Sequence, residues 1–233
     1  GVQAKEDPYL IRYYRIGFDG KNLTCLTPAE GMHNAWFSKD MQYLVDVYSM
    51  VDKAPVAVLR DAKNGKVIMP LETADISRLE AEGWKAPEVF TAKGRDGKTD
   101  MWGVIYRPSN FDPSKKYPVI IDVYGEPAGS TVQDVWQGGD LWHQYLANQG
   151  YIVVSIENRG AAAPRGREWR KCIYGEVGTF ASQDQAQGIL DLARQYSFID
   201  TSRIGITGWS GGGSQILNCM FRYPDVFCTG IAI

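Results

Sequence analysis

Four nearly unbroken apolar runs constrain the fold of this chain most: YPVIIDVY at 117–124, YIVVSIEN at 151–158, RIGITGW at 203–209 and VFCTGIAI at 226–233. Strands without polar alternation are buried on both faces, as in mostly parallel sheets covered by helices. Helix-compatible stretches separate them, at about 138–148, ending at Gly150, at about 182–196, with Ala186, Ile189, Leu190 and Ala193 at helical spacing, and at 211–222, closing before Pro224. Strand and helix alternate throughout, which predicts a doubly wound α/β architecture over residues 89–233.

The first third has a different texture. From Tyr9 to Leu71 short β runs such as LTCLT, QYLVDVYS and VAVLRDA are broken by Asp19-Gly20 and Asn64-Gly65, dipeptides suited to tight hairpins. Strands of that length suit propeller blades, so residues 1–71 read as the C-terminal part of a β-propeller. Residues 72–88 lose the alternation and gather acids with good helix formers, predicting a short helical linker. A hairpin turning at Asp96-Gly97 should follow.

Composition narrows the function. The chain has 25 Lys plus Arg against 27 Asp plus Glu, a net charge of −2. That balance argues against counterion-driven binding to nucleic acid or anionic lipid and favours a small neutral or peptide-like substrate. Cys25, Cys172, Cys219 and Cys228 are too scattered for a zinc site and read as free thiols, and no cofactor or metal is expected. No run reaches the roughly 20 apolar residues that cross a bilayer.

The chemistry concentrates in Gly208-Trp209-Ser210-Gly211-Gly212. This matches GxSxG, the nucleophile elbow of α/β-hydrolases, where a strand turns so sharply into a helix that only very small residues fit beside the serine. An apolar strand precedes it and the helix-compatible SQILNCMFRY follows. Ser210 Oγ is the expected nucleophile toward a carbonyl carbon, and the Gly211 backbone N–H an expected oxyanion donor. A second donor could be the hydroxyl of Tyr124, at the end of the first apolar run. A buried aromatic at a strand end is the commoner reason for a tyrosine there.

From Tyr9 onward the chain resembles the prolyl oligopeptidase family of serine peptidases, most closely its dipeptidyl peptidase IV-like branch, in which a propeller caps an α/β-hydrolase domain. The resemblance is carried by KYPVIIDVYGEP (116–127), NQGYIVVSIENRG (148–160), GTFASQDQ (178–185) and DTSRIGITGWSGGG (200–213). It implies Ser210 as nucleophile, Tyr124 as oxyanion-hole hydroxyl and Gly211 as oxyanion-hole amide. It further implies a short peptide substrate cut after a Pro- or Ala-terminated dipeptide, with tripeptidyl, acylaminoacyl and endo-oligopeptidase action left open, a periplasmic or secreted location and a homodimeric full-length protein. Glu126 departs from the family's usual glycine or alanine, and Gly211 from the branch's frequent tyrosine.

Several residues read as structural or accessory. Arg159 is expected to brace a loop through an ion pair, and Asp184 to complement the dipole of a helix's first turn. His33 and His143 precede Ser210, whereas the hydrolase order is nucleophile, acid, histidine. None of the 23 residues after Ser210 is histidine, and the one acid there is Asp225. The chain is therefore expected to be a piece that lacks its triad partners and is inactive alone. A carboxylesterase or lipase on the same fold, and a non-catalytic pseudo-peptidase binding module, are the competing readings. The missing HGGG sequence and the β-rich upstream segment count against the esterase.

Overall fold

A computed structural model describes residues 7–136 and 141–233, which form two compact units. The first comprises the chain up to Glu82 and a short stretch from Asp134, and the second runs from Gly83 to Gln133 and on to Ile233.

In the first unit, β1 (Tyr14–Arg15) pairs with β2 (Thr24–Cys25). The strands β3 (Met32–Phe37), β4 (Tyr43–Met50), β5 (Lys53–Asp61) and β6 (Val67–Thr73) form an antiparallel meander in sequential order. A four-stranded meander is the repeating element of a propeller blade. Its small apolar centre is Leu26, Leu44 and Ala62. A buried polar centre lies beside it: Asp46 accepts from Arg60 Nε and pairs with His33 Nδ1, both at 2.7 Å, and His33 Nε2 lies 2.8 Å from the Ala29 carbonyl. The stretch from Asp134 joins this unit because the Val51 N–H donates to the Asp134 carboxylate and the Trp136 N–H to Ser49 Oγ. Between β6 and Glu82 only α1 (Ser77–Ala81) is helical, a single turn with no buried residue.

The second unit carries a six-stranded mixed sheet. Its strands are β7 (Glu88–Lys93), β8 (Asp100–Tyr106), β9 (Tyr117–Asp122), β10 (Ile152–Ile156), β11 (Ile199–Gly208) and β12 (Thr229–Ala232), in the order β12-β11-β9-β10-β8-β7. From β12 to β10 the neighbours run parallel, while β8 and β7 add antiparallel at the other side. The helices are α2 (Trp142–Asn148), α3 (Gly166–Lys171), α4 (Thr179–Gln195) and α5 (Gly211–Arg222). This is the α/β-hydrolase arrangement, and the preceding meander is propeller structure.

Three of the four apolar runs make the core; the fourth does not give the strand buried on both faces that its sequence predicts, because β12 lies at the edge of the sheet with every residue exposed. Val119 and Ile121 of β9, Ile152, Val154 and Ile156 of β10, and Ile204 and Ile206 of β11 pack with Ile189 and Leu192 of α4 and Ile216 of α5. Each is almost wholly buried, and a fully buried aliphatic side chain contributes about 1.5–3 kcal/mol. The expected helix at 138–148 is observed as Trp142–Asn148, with Leu141 as its N-cap residue; positions 138–140 of that expectation lie outside the described residues. Helix α4 begins at Thr179, three residues before the expected start, so Asp184 sits in its second turn and not its first. No helix among the described residues is long and apolar enough to cross a membrane.

Candidate active site

The strand-to-helix junction forces the geometry of Ser210. Strand β11 ends at Gly208 and α5 starts at Gly211, leaving two residues to reverse the chain direction. Ser210 takes φ 57° and ψ −115°, a region that residues with a side chain rarely enter and that costs about 1–3 kcal/mol. Its neighbours show why that conformation persists. A Cβ on Gly208 would stand 2.2 Å from the Val123 carbonyl oxygen, and one on Gly212 would stand 2.3 Å from the same atom. Both contacts are with main chain, which cannot swing aside, so glycine is obligatory at the two positions flanking the turn.

Main-chain hydrogen bonds complete the clamp. The Ser210 N–H donates to the Ile233 carbonyl at 2.7 Å, the Ile233 N–H donates back to Gly208 at 3.2 Å, and the Gly212 N–H closes on Trp209 at 2.8 Å. Ser210 precedes α5, yet its hydroxyl makes no cap bond to the helix. The residue is exposed and its Oγ is left for other work. Gly211 lies in the first turn of α5, where backbone N–H groups have no intrahelical acceptor and can meet a developing negative charge.

Tyr124 reaches this point along β9. The Val123 N–H donates to Thr207 on β11, and Val123 presents its carbonyl to Gly208 and Gly212. The Tyr124 Cα then lies 3.4 Å from where a Gly212 Cβ would be. After it, Gly125 turns with φ 75°. The Tyr124 ring rests on Gly129, whose Cβ position is 3.1 Å from two ring carbons. The Tyr124 N–H donates to Thr131 Oγ1 at 2.9 Å. Ser210, Gly211 and the backbone of Tyr124 thus come together at the carboxyl ends of two adjacent parallel strands, β11 and β9.

A second layer, mostly invisible in the sequence, supports these residues. Asn158 Nδ2 donates to the Gly125 carbonyl at 2.9 Å, while Asn158 Oδ1 accepts from Gln185 Nε2 at 2.9 Å. Arg159 is a brace. Its guanidinium grips Asp184 through Nε and a terminal nitrogen, and its other terminal nitrogen reaches Asp96 Oδ2 at 2.7 Å. Asp184 is wholly buried and also takes Arg95 at 2.7 Å. It is an ion-pair hub, because α4 starts early enough to carry the residue under the loop after β10.

Two departures noted in the sequence meet in space. A Cβ on Gly211 would lie 2.7 Å from Glu126 Oε2 and 2.8 Å from Glu126 Cδ. The Glu126 side chain fills the room that a side chain at 211 would take, so the unusual glycine and the unusual glutamate are one feature.

The histidines are engaged elsewhere. His143 Nε2 lies 3.2 Å from Asp122 Oδ2, and its ring meets Tyr106 edge-on with centroids 5.1 Å apart. His33 belongs to the buried cluster of the first unit. All four cysteines are free. Among the described residues no group of three potential ligands could hold a metal ion.

Comparison with known proteins points one way. The sequence profile of the prolyl oligopeptidase family matches residues 140–233. Dipeptidyl peptidase 8 of Mus musculus is 37% identical over 147 residues, which are 63% of this chain and 16% of that protein. A probable dipeptidyl-aminopeptidase B of Emericella nidulans is 31% identical over 237 residues, spanning all of this chain and 26% of that protein. The crystal structure of Porphyromonas gingivalis dipeptidyl peptidase 4 superposes with a TM-score of 0.85 at 33% identity, covering 98% of this chain and 32% of that one. The chain therefore spans a third or less of the length of these relatives.

Proposed function

The chain belongs to the prolyl oligopeptidase family, in its dipeptidyl peptidase IV-like branch, and on that premise we propose that the full-length protein is a serine peptidase. In this reading it removes dipeptides from the amino termini of short peptides, with proline or alanine before the cut. The observation that carries it is the backbone of Ser210. A strained φ of 57° is held by main-chain contacts on both sides and presents a hydroxyl that caps nothing. Strain maintained at an exposed nucleophile is the expected signature of a preorganised site.

Ser210 Oγ attacks the scissile carbonyl carbon and gives its proton to a general base, and the carbonyl oxygen takes up the negative charge. The Gly211 N–H and the Tyr124 hydroxyl donate to that oxygen. Collapse of the intermediate expels the leaving amine, which receives the proton from the base, and leaves an acyl-enzyme. Water then attacks the ester carbonyl and gives a proton to the base; as the C–Oγ bond breaks, the base returns that proton to Ser210 Oγ and the dipeptide acid leaves. The residues of this chain supply the nucleophile and the oxyanion donors. We assign the acid and the histidine base to parts of the protein outside these 233 residues, so this chain alone is expected to be inactive.

The test is hydrolysis of dipeptidyl nitroanilides and of a nitrophenyl ester by the full-length protein. The reading expects turnover of Ala-Pro-nitroanilide that Ser210→Ala abolishes. Ester cleavage without nitroanilide cleavage would favour the carboxylesterase, and turnover unchanged in Ser210→Ala would remove the reading.

A further inference from the structure

Glu157 follows the last residue of β10 and has no part in the chemistry described so far. Its backbone is fixed, because the Glu157 N–H donates to the Trp102 carbonyl on β8 at 2.9 Å. Its carboxylate is fully buried and makes no ion pair among the described residues. Burial pushes its pKa up to about 7, against the opposing pull of the Ser130 hydroxyl and the Val132 and Thr131 amides. An unpaired buried carboxylate is costly, and a neutral side chain of the same shape would spare the fold that cost.

What the carboxylate holds is specific. Oε1 accepts the Thr131 N–H at 3.3 Å, while Oε2 accepts the Val132 N–H at 3.2 Å and also meets the Ser130 hydroxyl. These are three consecutive residues, and the middle one accepts the Tyr124 N–H at its own Oγ1. Gly129, on which the Tyr124 ring rests, immediately precedes them. The neighbouring Asn158 holds the other end of the turn through the Gly125 carbonyl. Residues 157 and 158 thus tie down both ends of the loop that begins at Tyr124.

The Ser130 hydroxyl has a choice of partner. Its oxygen lies 2.8 Å from the Val132 carbonyl as well as against Glu157. One proton cannot serve both acceptors, and an ionised carboxylate is the stronger. The ionised form of Glu157 therefore gathers hydroxyl and amides onto itself and tightens the segment 130–132.

The geometry points to Glu157 as a positioning residue for Tyr124: it fixes the segment 130–132, and through Thr131 the backbone and ring of the tyrosine whose hydroxyl meets the oxyanion. This rests on the assignment of Tyr124 given above. An oxyanion donor works through placement, and a misplacement of about 1 Å can cost roughly a hundredfold in rate.

The experiment uses the full-length protein with Ala-Pro-nitroanilide and compares Glu157→Gln, Thr131→Val, Tyr124→Phe and the two double variants containing Tyr124→Phe. Glu157→Gln is expected to lower kcat roughly tenfold while KM stays within about twofold, since the loss falls on the transition state. In the Tyr124→Phe background it should lower kcat no further, because the hydroxyl it positions is gone. Thr131→Val leaves Glu157 in place and removes only the acceptor of the Tyr124 N–H. It should show the same loss and the same coupling, and it decides the matter if Glu157→Gln does not fold. Native kcat in both single variants, or losses that multiply in full on Tyr124→Phe, would overturn the inference. Absence of hydrolysis by the unmutated protein would remove the functional reading and the inference with it, an outcome distinct from an active enzyme indifferent to Glu157.

Discussion

Two buried carboxylates, Asp46 in the meander and Glu157 in the mixed sheet, are equally hidden from water and are treated differently. Asp46 sits between Arg60 and His33 at 2.7 Å each, so its charge is matched by cationic and ring partners on adjacent strands. Among the described residues Glu157 has only a hydroxyl and two backbone amides. The first arrangement stabilises a sheet. The second costs stability at neutral pH and holds in place the segment 130–132, whose Thr131 accepts the Tyr124 N–H.

The largest effect that would break this contrast is in the meander. Asp46→Ala strands a buried guanidinium and should destabilise the first unit by about 3–5 kcal/mol. Denaturant unfolding of that unit checks this. A loss below about 1 kcal/mol would mean that the cluster is not integral to the blade.

Next comes Tyr124→Phe in the full-length protein. Loss of one oxyanion donor should lower kcat by roughly 10²- to 10³-fold with little change in KM. Steady-state kinetics on a dipeptidyl nitroanilide reads it directly.

The pH dependence of stability sharpens the contrast further. The Glu157 pKa is raised from 4.5 to about 7 in the folded protein, so the fold favours the protonated form. Its stabilising contribution is complete below about pH 4.5 and is lost as pH rises through 7. The difference corresponds to about 3 kcal/mol between pH 4.5 and 8. Glu157→Gln should remove that part of the slope and be the more stable form at pH 8 while being the slower enzyme. Thermal unfolding of both proteins across this range tests the sign, and a variant less stable than native at pH 8 would contradict it.

The smallest effect concerns Glu126 and Gly211. Gly211→Ala brings a methyl within 2.7 Å of a carboxylate oxygen at the free end of a flexible side chain, which can swing away. The cost should be under about 1 kcal/mol and should vanish when Glu126→Ala is added, as contacting pairs couple.

Three apolar runs made the centre of the sheet legible, because strands buried on both faces leave no polar alternation to confuse them with surface hairpins; β12, read from the same kind of run, is instead an exposed edge strand. The elbow was legible for a related reason, since Gly208 and Gly212 are demanded by main-chain contacts that any such turn must make. Strand β3 was not, as MHNAWF mixes polar and aromatic residues without a clean period of two. Helix α3 escaped notice because six residues, GREWRK, offer one buried side chain, Trp169, and no repeat. The return of the stretch from Asp134 to the first unit rests on the Val51 N–H donating to Asp134 and the Trp136 N–H donating to Ser49 Oγ, each pair more than 80 residues apart. Glu157 looked like the polar end of an apolar strand. Its partners lie 25 to 27 residues earlier, in a segment without periodicity, so only the folded chain discloses them. Glu126 and Gly211 stood out singly as departures, and their contact made them a pair.

The most direct test of the central claim, that Ser210 is the nucleophile, is labelling of the full-length protein with a fluorophosphonate followed by peptide mass spectrometry. One adduct on the peptide containing Ser210, absent in Ser210→Ala and weakened in Tyr124→Phe, is the predicted result. An adduct on another residue, or none on a folded full-length protein, would contradict the account.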